Sequence, residues 1–452
     1  MNAPETQPAA PNRTVLFCYL IGLGGLLFGF DTAVISGTLQ LVATQFGLDA
    51  LAEGQYVSVG LYGAIAGVLV SGVLSDRVGR KWATLLSAVL YAGSGIGCAL
   101  ATGLTGLCVF RFLGGLAVGL TSTLVPLYIS ELAPAAKRGR LVAVYQLLLT
   151  AGILLAYVSN ALIYNYFSKP GLTGLLADEP WRPMYVALAV PALLYVLALL
   201  PLPESPRWLL TRGRSAEARL LADRYGIVLA GGNSPVVPLS ALFGRGNRGK
   251  LLVGLAIPFL GQFSGINAVI YYGPRIFEQI GFGSGSSLQV QILIGLINLL
   301  TTFIAVTMVD RVGRKPLLIY GLLGLIGCLL ALAGLSGTAP AGWLVGLVLA
   351  FIFCYAFSLG PVQWVVIGEL FPASIRGRAI SLCTLALWLA ATLVGQFFPW
   401  LLERVGIQAA FGFFAGMSGL LLLLIGRTLV ETKGQTLESL ERGWQVSAET
   451  RP

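Results

Sequence analysis

The sequence predicts an all-α polytopic membrane protein, with twelve transmembrane helices in two six-helix bundles related by pseudo-symmetry. Three observations carry that prediction. Apolar residues make up 56% of the chain and charged residues only 11%, with a mean hydropathy of +0.83; a soluble protein of this length carries more charge. The apolar residues fall in runs of about 20, the length that crosses a bilayer core as a helix. Finally, Asp76-Arg77-Val78-Gly79-Arg80-Lys81 returns 234 positions later as Asp310-Arg311-Val312-Gly313-Arg314-Lys315, each copy lying between two apolar runs.

Taken in order, residues 1–13 are Pro- and Ala-rich and expected to be disordered, with no cleavable signal peptide. A first bundle over 14–202 holds spans near 15–36, 56–74, 82–101, 107–129, 141–161 and 183–202. The first span carries Asp31 and the fourth carries Arg111, both inside apolar sequence. A polar segment over 203–250 follows, with an amphipathic stretch at 216–225 and a Gly/Ser/Pro-rich part from 231 to 249. It is too short to bury its own core, and reads as a cytoplasmic linker with short helices. A second bundle over 251–430 holds spans near 251–277, 289–309, 317–335, 342–367, 379–401 and 411–430, before a tail over 431–452.

The halves share more than the hexapeptide. Glu131 stands seven residues before Arg138-Gly139, and Glu369 seven before Arg376-Gly377. Pro203-Glu204-Ser205-Pro206 closes the first half much as Val430-Glu431-Thr432-Lys433 closes the second. Internal repetition on this scale points to a membrane transporter built from repeated bundles.

Charge sets the expected orientation. Of the 29 Lys and Arg residues, 24 fall on the side that holds both termini, four on the other (Lys169, Arg182, Arg275, Arg404), and Arg111 lies within a span. The basic side is the cytoplasmic one by the positive-inside rule, placing a multi-pass protein in the inner membrane with both termini in the cytoplasm. That distribution explains the net charge of +10 without a nucleic-acid partner. The six cysteines lie in or beside apolar runs without metal-ligand spacing, and there is no histidine. No metal or other cofactor is expected, and proton chemistry falls to carboxylates.

The hexapeptide loops resemble those of the major facilitator superfamily between helices two and three and between eight and nine. The segment 126–139, with Pro126, Tyr128, Glu131, Ala133, Pro134, Arg138 and Gly139, resembles the sugar porter pattern P-x-Y-x-x-E-x-A-P-x-x-x-R-G. Pro203-Glu204-Ser205-Pro206-Arg207-Trp208-Leu209, Gln262-Phe263-Ser264-Gly265-Ile266-Asn267 with Tyr271-Tyr272, Gly360-Pro361-Val362-Gln363-Trp364, and Glu431-Thr432-Lys433-Gly434 are similar to further motifs of that family. The stretch Phe30-Asp31-Thr32-Ala33-Val34-Ile35-Ser36-Gly37 resembles the bacterial proton-coupled pentose and hexose symporters, whose passive relatives generally lack the acid.

The resemblance implies a sugar:proton symporter that imports a monosaccharide by alternating access, as a monomer whose partners are the sugar, the proton and the bilayer. A passive sugar facilitator and a transporter-like sugar sensor are the alternatives; an enzyme is not expected, since no nucleophile–base pair appears. Gln146, Gln262, Asn267, Tyr271, Asn298, Gly360 and Trp364 are the implied sugar contacts, between the two halves. Amides and aromatic faces suit hydroxyls that both donate and accept. Asn267 and Tyr271 share a helix face, whereas Gln262 is roughly 140° away on an ideal helix. It joins them only if the helix unwinds near Gly261 and Gly265, and Gly360-Pro361 should break the tenth span similarly. The departures are also informative. Gly261 stands where relatives often carry a second Gln, and Leu387 and Ala391 stand where xylose-type members carry Gln and Asn.

Two charged sets complete the expectations. Asp31 and Arg111 fall at compatible depth in the outer third of the membrane, where charges are costly unless paired. Burial favours the neutral acid and a nearby Arg the carboxylate, so the pair is a candidate for proton coupling. Asp76, Arg80, Glu131, Arg138, Asp310, Arg314, Glu369 and Arg376 are the implied cytoplasmic gate, as salt-bridge networks that break when the inside opens.

Overall fold

The computed structural model describes residues 12–134, 137–169, 174, 178–225, 227, 242–371, 375–431 and 433. The rest of the N-terminal stretch, most of the linker's Gly/Ser/Pro-rich part and most of the tail lie outside them. The described residues form fifteen helices and no strand. They are α1 (Asn12–Phe46), α2 (Ala50–Val78), α3 (Arg80–Leu100), α4 (Leu104–Leu132), α5 (Arg138–Phe167), α6 (Trp181–Leu199), α7 (Pro206–Thr211), α8 (Ser215–Tyr225), α9 (Arg245–Gln262), α10 (Ile266–Gln279), α11 (Ser284–Val312), α12 (Arg314–Leu335), α13 (Ala341–Phe357), α14 (Leu359–Leu370) and α15 (Arg376–Thr428).

Eleven helical segments among the described residues are long and apolar enough to cross a membrane. The last is two spans in one: Gly406 has φ 80° and ψ 168°, which splits α15 and makes twelve spans. Two other predicted spans are broken. Gly265 is left-handed (φ 90°), and its i to i+3 turn separates α9 from α10. The tenth span breaks at Ser358, between α13 and α14, two residues before Gly360-Pro361. Proline is tolerated in the first turn of a helix, where its missing N–H has no intrahelical partner to lose, so the break comes earlier. The first span also runs ten residues past its apolar stretch, to Phe46. Gly37 lies inside this helix, where the lack of a Cβ makes room for the side chain of Asn160.

The chain forms two compact units. Unit 1 comprises Met1–Val34, Tyr62–Ala156 and Trp181–Asn233; unit 2 comprises Ile35–Leu61, Tyr157–Pro180 and Ser234–Pro452. The boundaries pass through α1, α2 and α5 as well as the linker.

Within unit 1, small residues let backbones approach, as membrane helices require. Gly63 and Gly67 of α2 lie against Phe112, Leu116 and Gly119 of α4, and Gly152 of α5 lies against Leu26 of α1. Ala83, Leu120 and Leu124 form an apolar cluster between α3 and α4, with Leu74 and Leu90 packed on it. The short helices dock too. Ser205 caps α7 with its hydroxyl, and Trp208, Leu209 and Ala218 pack α7 on α8. Tyr225 of α8 meets Phe17 of α1 edge-to-face at 5.3 Å.

Within unit 2, the far part of α1, the start of α2 and the end of α5 pack on α10 and α15. The Tyr157 hydroxyl donates to Ile270 O at 3.2 Å, and the Gln396 amide donates to Leu51 O at 3.3 Å. Gly54 lies directly against the Gln396 carbonyl. Glu53 of α2 pairs with Arg275 of α10, and Gln40 of α1 donates to Glu278 one turn along. These contacts explain why three pieces of the first sequence half belong to the second unit.

Candidate functional site

Unit 1 holds a buried ion pair. Asp31 is 3% exposed on α1 and Arg111 4% exposed on α4. Arg111 Nη1 lies 3.8 Å from Asp31 Oδ1, close enough for charge attraction but too far for a hydrogen bond. Gly114, one turn on from Arg111, makes room for the acid: a Cβ there would sit 2.9 Å from Asp31 Oδ1. The Arg111 guanidinium also lies over the Tyr185 ring at 5.9 Å. Asp31 Oδ1 accepts no hydrogen bond among the described residues, and Arg111 is the cation beside it.

Unit 2 holds an amide cluster. The break at Phe263–Gly265 turns the end of α9 back towards α10, and Asn267 Nδ2 donates to Gln262 Oε1 at 2.7 Å. This brings together two amides that a continuous helix would hold apart. The Tyr355 hydroxyl of α13 lies close to the Gln262 side chain. Gln363 of α14 is 3% exposed, and its oxygen accepts no hydrogen bond. Trp364 and Gly360 are half-buried on α14, Tyr271 is buried on α10, and Asn298 is buried on α11 without a hydrogen bond to the amide pair. Gln146 is half-buried on α5, in unit 1. Tyr355 and Gln363 are absent from the residues that sequence reasoning singled out. Gln363 stood beside Trp364 inside a recognised motif; Tyr355 had no signal in an apolar run.

The hexapeptide loops carry two matching networks. Arg80 makes a fork on Glu131, Nε to Oε2 at 3.0 Å and Nη2 to Oε1 at 3.2 Å, and its Nη1 meets Asp76 Oδ1 at 3.0 Å. Ser205 Oγ donates to the same Glu131 at 2.5 Å. Glu204 accepts the backbone N–H groups of Arg80 (2.8 Å), Lys81 (3.2 Å) and Ser205 (2.8 Å). Burial pushes its carboxyl above the usual range, and those N–H donors pull it part of the way back. In the second loop Arg314 Nη2 meets Glu369 at 3.0 Å, and Glu431 accepts the N–H groups of Arg314 (3.1 Å) and Lys315 (2.9 Å). Gly79 (φ 99°) and Gly313 (φ 105°) have nearly the same backbone, and a Cβ on either would fall against the carboxylate of Glu204 or Glu431.

Two expected members stand apart. Arg138 is exposed and makes no ion pair among the described residues. Arg376 donates to the Phe371 carbonyl at 3.1 Å rather than to a carboxylate. The Asp310 side chain lies outside the described residues. Sequence reasoning missed Glu204, Ser205 and Glu431 as members; the signal for the two glutamates was an acid following the last span of each half.

Comparison with known proteins places this geometry. A family model described as "Sugar (and other) transporter" matches residues 17–444. The chain is 36% identical over 465 residues to the D-xylose-proton symporter of Escherichia coli (strain K12), which covers 94% of each chain. It is 34% identical over 456 residues to the arabinose-proton symporter of Bacillus subtilis (strain 168), covering 98% of this chain and 97% of the relative. Among solved structures, the partially occluded inward open conformation of the xylose transporter XylE from E. coli matches with a TM-score of 0.80 and 32% identity. That match covers 94% of this chain and all of the other. The chain therefore belongs to the sugar porter family of the major facilitator superfamily, whose members are multi-pass membrane transporters and not enzymes.

Proposed function

We propose that this protein imports a monosaccharide together with a proton across the inner membrane by alternating access, with both termini in the cytoplasm. The observation that carries the proton is the Asp31–Arg111 pair. A carboxylate and a guanidinium stand 3.8 Å apart, each under 5% exposed, so each lies within the other's field in an apolar setting. A proton arriving on Asp31 removes the charge that holds Arg111, and its departure restores it. Movement of helices then follows the state of one acid, which is the requirement for coupling. Two relatives are named as proton symporters of xylose and arabinose, which supports the same assignment.

The sugar is assigned to Gln262, Asn267, Tyr271, Asn298, Gly360 and Trp364 in unit 2. Amides held in a turn between two half-helices offer donors and acceptors in an apolar setting, as hydroxyl recognition requires. Gln146 of unit 1 is assigned to the sugar by resemblance. The loop networks around Arg80 and Arg314 are assigned to gating on the cytoplasmic side, with Asp76, Glu131, Asp310 and Glu369 as the acids. Arg138 and Arg376 keep a part only if they acquire carboxylate partners in another state of the cycle.

Uptake of a panel of pentoses and hexoses into proteoliposomes, with and without an imposed proton gradient, tests the proposal. Accumulation above the external concentration only with the gradient is the expected result. Equal uptake in both conditions points to passive transport and overturns coupling.

A further inference from the structure

Buried amide oxygens without a partner are rare and call for an explanation. Gln363 is 3% exposed on α14, makes no hydrogen bond among the described residues, and leaves its oxygen open. Gln291 is also buried with an open oxygen, but its amide nitrogen donates to Val269 O at 3.4 Å and so ties two helices together. Gln363 does no such packing work, so interhelical bonding does not account for it.

Its location supplies the account. Gln363 Oε1 lies 3.4 Å from the place where a Cβ on Gly261 would stand. Glycine at 261 thus leaves a space on α9 that an amide from α14 overlies. The next residue is Gln262, which accepts a hydrogen bond from Asn267. Gly261 is also the position where this chain departs from the paired Gln of its family. A second amide is therefore present beside the first, but it comes from another helix.

We propose that Gln363 is a specificity-determining residue for the transported sugar: its open oxygen accepts a hydrogen bond from one hydroxyl of the bound monosaccharide, in place of the amide that position 261 lacks. The inference rests on the assignment of the Gln262 cluster to sugar. A sugar without that hydroxyl leaves the oxygen unpaired, so discrimination between otherwise similar sugars follows.

The test is calorimetric titration of the purified full chain with a monosaccharide that it binds and with the monodeoxy analogues of that sugar. Gln363→Met keeps the volume and removes the amide. The parent is expected to bind one deoxy analogue about 5- to 150-fold more weakly than the intact sugar. Gln363→Met should bind the intact sugar that much more weakly and lose the discrimination against that analogue. Gly261→Gln combined with Gln363→Ala returns the amide to α9, and should recover affinity that Gln363→Ala alone loses. A folded Gln363→Met protein with the parent's affinities across the panel overturns the inference. If Gln262→Ala still weakens binding there, the sugar assignment stands without it. A parent that binds no monosaccharide overturns both. Should Gln363→Met fail to fold, the double variant decides: no recovery of affinity in that protein overturns the proposal.

Discussion

Replacing Gly79 by alanine sets two faults into the first hexapeptide loop. The backbone there has φ 99° and ψ 164°, a region occupied almost only by glycine, and an L side chain held in it costs of order 1–3 kcal/mol. The added Cβ also falls against the Glu204 carboxylate, which must move. Moving it loosens the bonds from Arg80 N–H (2.8 Å) and Lys81 N–H (3.2 Å). Each is worth about 0.5–1.5 kcal/mol net. The sum is about 2–6 kcal/mol if both donors are lost, and about 1–3 kcal/mol if Glu204 shifts and keeps them. Thermal unfolding in detergent, followed by tryptophan fluorescence, is the assay. Gly72→Ala is the control: it lies within α2 with open space around it, and alanine there is expected to stabilise by about 0.5–1 kcal/mol. Gly313→Ala should match Gly79→Ala, since φ 105° and ψ 163° repeat the geometry against Glu431. If Gly79→Ala melts with the parent, or with the Gly72→Ala control, the carboxylate-on-loop account is wrong.

Three further predictions concern the other networks. Arg80→Lys and Arg314→Lys keep the charge but lose the fork on Glu131 and the bond to Glu369, and transport should slow in both; unchanged rates in both would remove the loops from the gate. Gln262→Ala takes away the acceptor of Asn267 and should weaken sugar binding by about 1–3 kcal/mol, read by titration; equal affinity counts against the assignment. In unit 2, Arg275→Gln should destabilise more than Glu53→Gln, by about 2 against about 1 kcal/mol after allowance for partial exposure. The arginine also lies within electrostatic reach of Glu278 and Glu403, so its loss leaves three acids without their cation. The reverse order of melting temperatures would contradict that reading.

The sequence made some of this legible and hid the rest for physical reasons. Apolar runs announced the spans, but not their ends. Gly37 looks like a terminus and is a packing site for Asn160. Gly406, which divides α15, falls in the gap between the spans expected at 379–401 and 411–430. The turn at Gly265 was readable because two amides needed it to meet. Pairing of charges was harder. Glu131 and Arg138 are near in sequence, but α4 ends at Leu132 and the nearby arginine is Arg80, 51 positions away. Proximity along the chain says little once a helix stops. Glu204 reads as part of a motif until the loop it caps is seen, 124 positions earlier. Gln363 was overlooked because an amide beside a tryptophan gives no hint that its oxygen will be buried and open.

The central claim is that protonation of Asp31 drives the carrier, and Asp31→Asn tests it most directly. Asparagine has nearly the volume of the acid and holds no titratable proton, so Arg111 meets a permanently neutral partner. In proteoliposomes with an imposed proton gradient, the variant should exchange external for internal sugar at a rate near the parent's. It should not raise the internal sugar above the external concentration. If Asp31→Asn still concentrates sugar when the gradient is imposed, Asp31 is not the coupling residue and the account built on the Asp31–Arg111 pair fails.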